Sequence, residues 1–189
     1  RLLIATGATP VVPNWNGGHL LGIHTIKTIP NTEAIIADLE NVQQVTIIGG
    51  GYIGLEMAEN FASIGKKVRI IQRGDQLAGI FDHDIACFIH EHAKAHNGEV
   101  ILNEEVQSFT GDTRVSDVRT DKGSYPTDLV LVATGVKPTT GFLEGTGIQL
   151  HHNGAIVVNN FLKTNLDDIY AAGYCATHFH RIKQLNDYI

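Results

Sequence analysis

The stretch Val45-Thr46-Ile47-Ile48-Gly49-Gly50-Gly51-Tyr52-Ile53-Gly54-Leu55-Glu56-Met57-Ala58-Glu59-Asn60-Phe61-Ala62-Ser63-Ile64-Gly65 decides the fold. Its first four residues are β-branched throughout, which suits a strand buried on both faces of a parallel sheet. Its last part repeats apolar residues at helical spacing (Leu55, Ala58, Phe61, Ala62) and stops at Gly65, a natural residue to follow a helix. Between the two lies G-x-G-x-x-G, at Gly49, Gly51 and Gly54. Glycine makes up 20 of the 189 residues, so the bare pattern decides little by itself. Its setting decides: a strand precedes it, a helix follows, and a second apolar strand, Val68-Arg69-Ile70-Ile71, comes directly behind. Each glycine then has a separate task. Gly49 permits the tight turn out of the strand, Gly51 lets backbone approach a pyrophosphate, and Gly54 lets helix and strand pack closely. The helix start, with Tyr52 and Ile53, adds backbone N–H groups and a positive dipole end. The expectation is a dinucleotide site.

Working outward, Leu2 to Ala5 reads as a buried strand ending in the turn Thr6-Gly7-Ala8-Thr9-Pro10. Val11 to Ile29 reads as an irregular connection. Thr32 to Leu39 reads as a short helix capped by Asn31 or Thr32. Asp82 to His96 is predicted helical, with apolar positions Ile85, Phe88, Ile89 and Ala93, ended by Asn97-Gly98 and followed by the strand Glu99 to Leu102. The rhythm then changes to short alternating pieces, Val106 to Thr110, Arg114 to Thr120 and Ser124-Tyr125, divided by Gly111-Asp112 and Asp121-Lys122-Gly123. These form an inserted antiparallel meander. Leu129 to Val132 returns to the parallel sheet and leads into Ala133-Thr134-Gly135-Val136-Lys137-Pro138, an echo of Ala5-Thr6-Gly7-Ala8-Thr9-Pro10. Ala155 to Val158 and Ile169 to Ala172 read as further strands. The fold class is α/β, a Rossmann-like parallel sheet with an antiparallel β-meander inserted.

Bulk composition fits this class: 43% hydrophobic, 18% charged, mean hydropathy near zero. A net charge of −6 argues against nucleic acid or an anionic membrane as the main partner, and no apolar run reaches membrane-spanning length. Two cysteines, Cys87 and Cys175, make no disulfide framework, so a reducing cytoplasm is the expected setting. The chain opens on Arg1 directly before a strand and closes without a helix cap, which reads as a fragment of a longer protein.

Four motifs in order carry a resemblance over nearly the whole chain. They are Ile4-Ala5-Thr6-Gly7-x-x-Pro10, the G-x-G-x-x-G with Tyr52 and Glu56, Val132-Ala133-Thr134-Gly135-Val136-Lys137-Pro138, and Ile169-Tyr170-Ala171-x-Gly173. Together they resemble the FAD-dependent pyridine nucleotide-disulfide oxidoreductases. The Gly-Val-Lys-Pro form and the closing Ala176-Thr177-His178-Phe179-His180 look most like the NADH oxidase, NADH peroxidase and coenzyme A-disulfide reductase branch. Ferredoxin and rubredoxin reductases share the same motifs. The resemblance implies that residues 1–23 end a first FAD-domain segment, 24–137 form the NAD(P)H-binding domain, and 138–189 begin a second, incomplete FAD-domain segment. It implies a homodimer, with FAD and NAD(P)H as cofactors, and hydride passing from NAD(P)H to FAD and on to a disulfide, peroxide or O₂. As it stands, the chain lacks the FAD glycine motif, the redox cysteine and the dimer domain, so the fragment alone is expected to be an inactive nucleotide-binding module.

The resemblance also assigns roles. Glu56 falls near the nicotinamide and Tyr52 is an aromatic gate over the flavin, which makes these two the candidate catalytic residues. Glu56 also suits a helix start on dipole grounds alone. Gly135, with Val136, lines the nicotinamide end, Thr134 beside them is a further cofactor-binding residue, and Thr6 and Gly7 belong to the hinge between domains. The family's I-Y-A-x-G-D ends in a flavin-binding aspartate where this chain has Tyr174, and a phenol is no substitute for a compact carboxylate acceptor. The expectation is that this chain binds no FAD. Nucleotide choice turns on Gln72 and Arg73: Gln72 does not repel a 2′-phosphate, and Arg73 either pairs with one or is a plain loop arginine. Leu2 to Ala5 and Ile169 to Ala172 would normally pair within a sheet whose other strands are missing here, and such unpaired edges predict self-association through the flanking segments. Of the ten histidines, His92 and His96 share a helix face, His90 reads as a solvated helix residue, and no metal site is expected. Cys87 reads as a packing residue.

Overall fold

A computed structural model describes residues 1–96 and 98–188, with nothing described of the side chain of Asn186. The helix stop expected at Asn97 lies outside the described residues. The chain forms two compact units, residues 10–135 and residues 1–9 with 136–189.

The larger unit is built on a five-stranded sheet, parallel throughout. Its spatial order is Ile23–His24, Leu129–Val132, Gln44–Ile48, Lys67–Gln72, Gly98–Leu102. The middle strand, Gln44–Ile48, and its neighbour Leu129–Val132 carry the most buried residues: Val45, Ile47, Leu129, Val130 and Leu131 are fully buried. Helices α1 (Ile29–Asp38), α2 (Tyr52–Ser63) and α3 (His83–Ala95) accompany the sheet. Ile47, Phe61, Val68, Ile70, Leu77 and Leu131 share one core cluster, with Leu55, Ala58 and Ala62 of α2 packed against it. The apolar face read from α2 is therefore its buried face. Gly65, at φ 78°, donates to Ala62 O while Lys66 donates to Phe61 O, the paired bonds of a Schellman ending. The inserted meander is a three-stranded antiparallel sheet of Val106–Thr110, Asp117–Thr120 and Ser124–Pro126. Val106, Phe109, Val115 and Val118 fold onto the sheet strands through Ile48, Ile71 and Val130.

Several boundaries differ from the sequence expectation. α1 starts at Ile29, three residues earlier than expected, because Thr28 is the N-cap, Pro30 sits in the first turn, and Asn31 Oδ1 accepts the Thr28 N–H at 3.0 Å. The connection before it contains the edge strand Ile23–His24, too short to give a periodicity. On α3 the expected core face is only partly correct. Ala86 is buried and Ile89 packs on the core, while Ile85 and Phe88 are exposed. Cys87 is exposed as well, and so is not a packing residue.

In the smaller unit, Leu2–Ile4 pairs in parallel with Ile169–Ala171, so these two strands partner each other. Residues 155–158 form no strand. Ile156 makes isolated bridges to Leu150 and Ala176 and is fully buried with Val158 and Cys175 around it. A hairpin of His178–His180 and Leu185–Asp187, with no clear sequence signal, follows.

Candidate functional site

The glycine turn sits where the strand Gln44–Ile48 passes into α2. Successive strands from there run outward in one direction, to Lys67–Gln72 and Gly98–Leu102, while Leu129–Val132 lies on the other side. The turn therefore lies at the carboxyl ends of the strands, at the point where the strand order reverses, which is where open α/β sheets bind their ligands.

The three motif glycines answer to different neighbours. Gly49 has φ 106°, and a Cβ there would lie 2.4 Å from Ala133 O. Its N–H donates to Ile71 O at 2.9 Å. A Cβ on Gly54 would lie 2.1 Å from Gly49 O, so the turn and the first turn of α2 are packed backbone to backbone. Gly51 is the exception. Its φ of −76° suits any residue, and a Cβ there would meet nothing within 4 Å. Protein packing thus requires glycine at Gly49 and Gly54, whereas at Gly51 the missing side chain leaves open space beside a helix N-terminus. The first N–H groups of any helix lack intrahelical acceptors, and here the dipole adds positive character. The space and the donor set fit a pyrophosphate.

Gln72, at the end of the adjacent strand, closes the turn from below. Its Oε1 accepts the Gly50 N–H at 2.9 Å. Because that donor requires an acceptor, the amide orientation is fixed and Nε2 is turned toward Gly74. Arg73 is exposed and meets Glu105 at 3.5 Å, a contact with little energetic weight at this exposure. Thr134 Oγ1 donates to Val11 O at 2.6 Å, and Gly135, at φ 108°, accepts the Val11 N–H. This places Thr134 and Gly135 directly after Ala133, the residue that Gly49 faces.

The structure thus groups Gly49, Gly51, Tyr52, Ile53, Gly54 and Gln72 at one turn, with Arg73, Thr134 and Gly135 on the segments that flank it. Tyr52 is half exposed at the first position of α2. Glu56 lies one turn further along and is exposed, on the edge of an apolar groove of about 600 Å³ between α2 and α3. That groove runs along the helices and the motif glycines do not line it. Thr6 and Gly7 belong to the smaller unit, where Thr6 Oγ1 donates to Thr139 O and Gly7 O accepts the Thr139 N–H. Tyr174 is half exposed, and its backbone carbonyl accepts the Tyr188 hydroxyl at 2.7 Å. Position 174 therefore offers no carboxylate to a flavin.

Sequence reasoning missed a second layer. Ala78 N–H donates to Gly50 O at 2.7 Å, and Leu77, fully buried, packs against Gly50. His90 is part-buried and its Nε2 accepts the Leu77 N–H at 2.8 Å, so it is not the solvated residue expected from its helix. A lone histidine on a helix carries no signal of such a contact. His92 and His96 lie side by side, with ring centres 4.3 Å apart and planes tilted by 38°. Among the described residues no three histidine, cysteine, aspartate or glutamate side chains converge as metal ligands, and no helix is long and apolar enough to cross a membrane.

The fold agrees with what similar proteins show. The model of a family described as pyridine nucleotide-disulphide oxidoreductase matches residues 1–186. The chain belongs to that family. It is 40% identical over 184 residues to an NAD(P)H coenzyme A polysulfide/persulfide reductase of Pyrococcus horikoshii, covering 96% of this chain and 41% of the relative. The water-forming NADH oxidase of Lactobacillus brevis, solved bound to NADH, superposes with a TM-score of 0.94 at 32% identity, over 100% of this chain and 42% of that one. An engineered water-forming NADPH oxidase made from the same enzyme and bound to NADPH gives 0.95, again at 32% identity and with the same coverage. The chain spans less than half the length of these oxidoreductases.

Proposed function

We propose that this chain is the NAD(P)H-binding portion of a flavin-dependent oxidoreductase, with residues 24–137 as the nucleotide domain and 1–23 and 138–189 as segments of an FAD domain. The observation that carries the reading is Gly51, a motif glycine with no packing reason to be glycine, facing open space at the start of α2. When bound, the nicotinamide cofactor supplies a hydride, and in the whole protein that hydride goes to FAD and on to a disulfide, peroxide or O₂. The chain's own residues bind and orient. The Gly49–Gly54 backbone receives the pyrophosphate, and Thr134 and Gly135 line the nicotinamide end. Tyr52 and Glu56 act beside the ring. Similarity to a persulfide reductase and an NADH oxidase supports this class.

The nucleotide accepted is NADPH alongside NADH. In support, Gln72 is an uncharged amide whose Oε1 accepts the Gly50 N–H, while Arg73, exposed, meets Glu105 at 3.5 Å. Neither residue repels a 2′-phosphate as an aspartate would. The whole protein is proposed to be a cytoplasmic homodimer, in keeping with two unpaired thiols and the exposed Leu2 and Leu3 of the smaller unit.

Tyr174 favours a second reading for the chain taken by itself, a dinucleotide-binding module without turnover and without bound FAD. Fluorescence titration with NADH and NADPH tests the main reading: saturable binding of both is expected. A tenfold or greater preference for NADH rejects the NADPH assignment, and no binding of either rejects the site.

A further inference from the structure

Residues 73–82, between the strand ending at Gln72 and α3, touch the glycine turn without belonging to its motif. Ala78 adopts φ 48° although it is not glycine, a left-handed conformation that persists only when its surroundings hold it. On one side it is held by its own N–H, donated to Gly50 O at 2.7 Å. On the other, the preceding N–H, that of Leu77, is taken by His90 Nε2 from α3 at 2.8 Å. A contiguous path of hydrogen bonds thus runs from α3 to the middle glycine of the turn.

We propose that His90 is a positioning residue for the dinucleotide turn: its neutral imidazole pins Leu77, and Leu77 with Ala78 holds Gly50 in the shape that the pyrophosphate meets. This rests on the reading of Gly49–Gly54 as the nucleotide site. The chemistry requires the neutral form, since Nε2 must present a lone pair to the N–H and an imidazolium has none. The charged groups acting on the ring are Lys94 and Glu91 on its own helix and His83 where the loop enters that helix, while the loop itself meets it with an uncharged N–H. Burial, with Lys94 and His83, holds the imidazole below its ordinary 6.5, and Glu91 opposes them less strongly. The sign follows: the pinned loop is fully present above pH 6.5 and is lost as pH falls through the lowered value.

The test uses the full chain and its His90→Gln and His90→Ala variants at pH 7.5 and at a pH low enough that the His90 imidazole signal, followed by NMR, has titrated. Two readouts are taken: hydrogen exchange of residues 74–81, corrected for intrinsic rate, and fluorescence titration with NADH. For the parent chain, NADH affinity is expected to fall about fivefold on acidification, the scale of one lost hydrogen bond, with faster exchange in the loop. His90→Gln keeps an acceptor that does not titrate and is expected to show neither change. His90→Ala is expected to show both already at pH 7.5; should it unfold, His90→Gln carries the comparison. Loop exchange that is equal at both pH values in the parent chain, or His90→Gln changing as the parent does, overturns the proposal. An intact exchange pattern with no NADH binding at pH 7.5 upholds the His90 pin and overturns the nucleotide reading instead.

Discussion

Two single-methyl substitutions separate ligand space from packing space at the glycine turn. In Gly51→Ala the new Cβ meets nothing within 4 Å, and φ −76° is ordinary for alanine. The fold should therefore be unchanged, or slightly stabilised through the unfolded state by about 0.4–1 kcal/mol. In Gly49→Ala the Cβ stands 2.4 Å from Ala133 O where ordinary contact begins at 3.4 Å, so backbone must yield by the 1.0 Å between them. At φ 106° the residue is strained as well. Overpacking and strain of this kind cost about 1–3 kcal/mol each. For a chain this long each kcal/mol lowers Tm by roughly 2–4 °C, so Gly49→Ala should melt some 5–20 °C lower while Gly51→Ala melts with the parent. NADH titration should give the reverse order of diagnosis: Gly51→Ala, fully folded, should bind at least tenfold more weakly because its methyl occupies the place of a phosphate oxygen. A Gly51→Ala protein that binds NADH as the parent does would refute the reasoning, and so would a Gly49→Ala protein with an unshifted Tm.

Three further outcomes are expected. Thr46 is fully buried and its hydroxyl has no partner among the described residues, so Thr46→Val should raise stability by about 1 kcal/mol in urea unfolding, and a loss would show that the hydroxyl is bonded. Asp38 lies under opposing influences: burial raises its pKa, but the His24 and Arg114 hydrogen bonds outweigh it and hold the carboxyl below 3.8. Its contribution is therefore present above pH 3.8 and lost as pH falls below it, so Asp38→Asn should cost about 1–3 kcal/mol at pH 7 and progressively less through pH 3.8; a pH-independent cost would contradict this. The chain should leave a desalting column without flavin absorbance, and one FAD retained per chain would overturn the reading of Tyr174.

The turn was legible in the sequence because its signal is local. Strand, glycine spacing and helix lie within 21 consecutive residues, Val45 to Gly65, and each glycine's neighbour can be anticipated from a βα unit. The parallel sheet and the meander were legible for a related reason, since alternation and β-branched runs report burial directly. What the sequence hid depends on distant partners. Ile23–His24 is a strand only because Leu129–Val132 accepts it as an edge. Ile156 is apolar and fully buried like a strand residue, yet it touches two single bridge partners rather than a ladder. Gln72 was readable as the end of the second strand, but not as the acceptor for the Gly50 N–H. The contribution of His90 needed Leu77 to be brought beside it from 13 positions away. Thr28 was missed because Asn31 and Thr32 are themselves good caps, and Pro30 was the signal that should have outranked them.

The most direct measurement is a crystal structure of this chain soaked with NADH. Pyrophosphate oxygens within hydrogen-bonding distance of the backbone N–H groups at the start of α2, against Gly51, are the predicted result. A dinucleotide bound elsewhere, or density showing that turn closed by protein atoms, would contradict it.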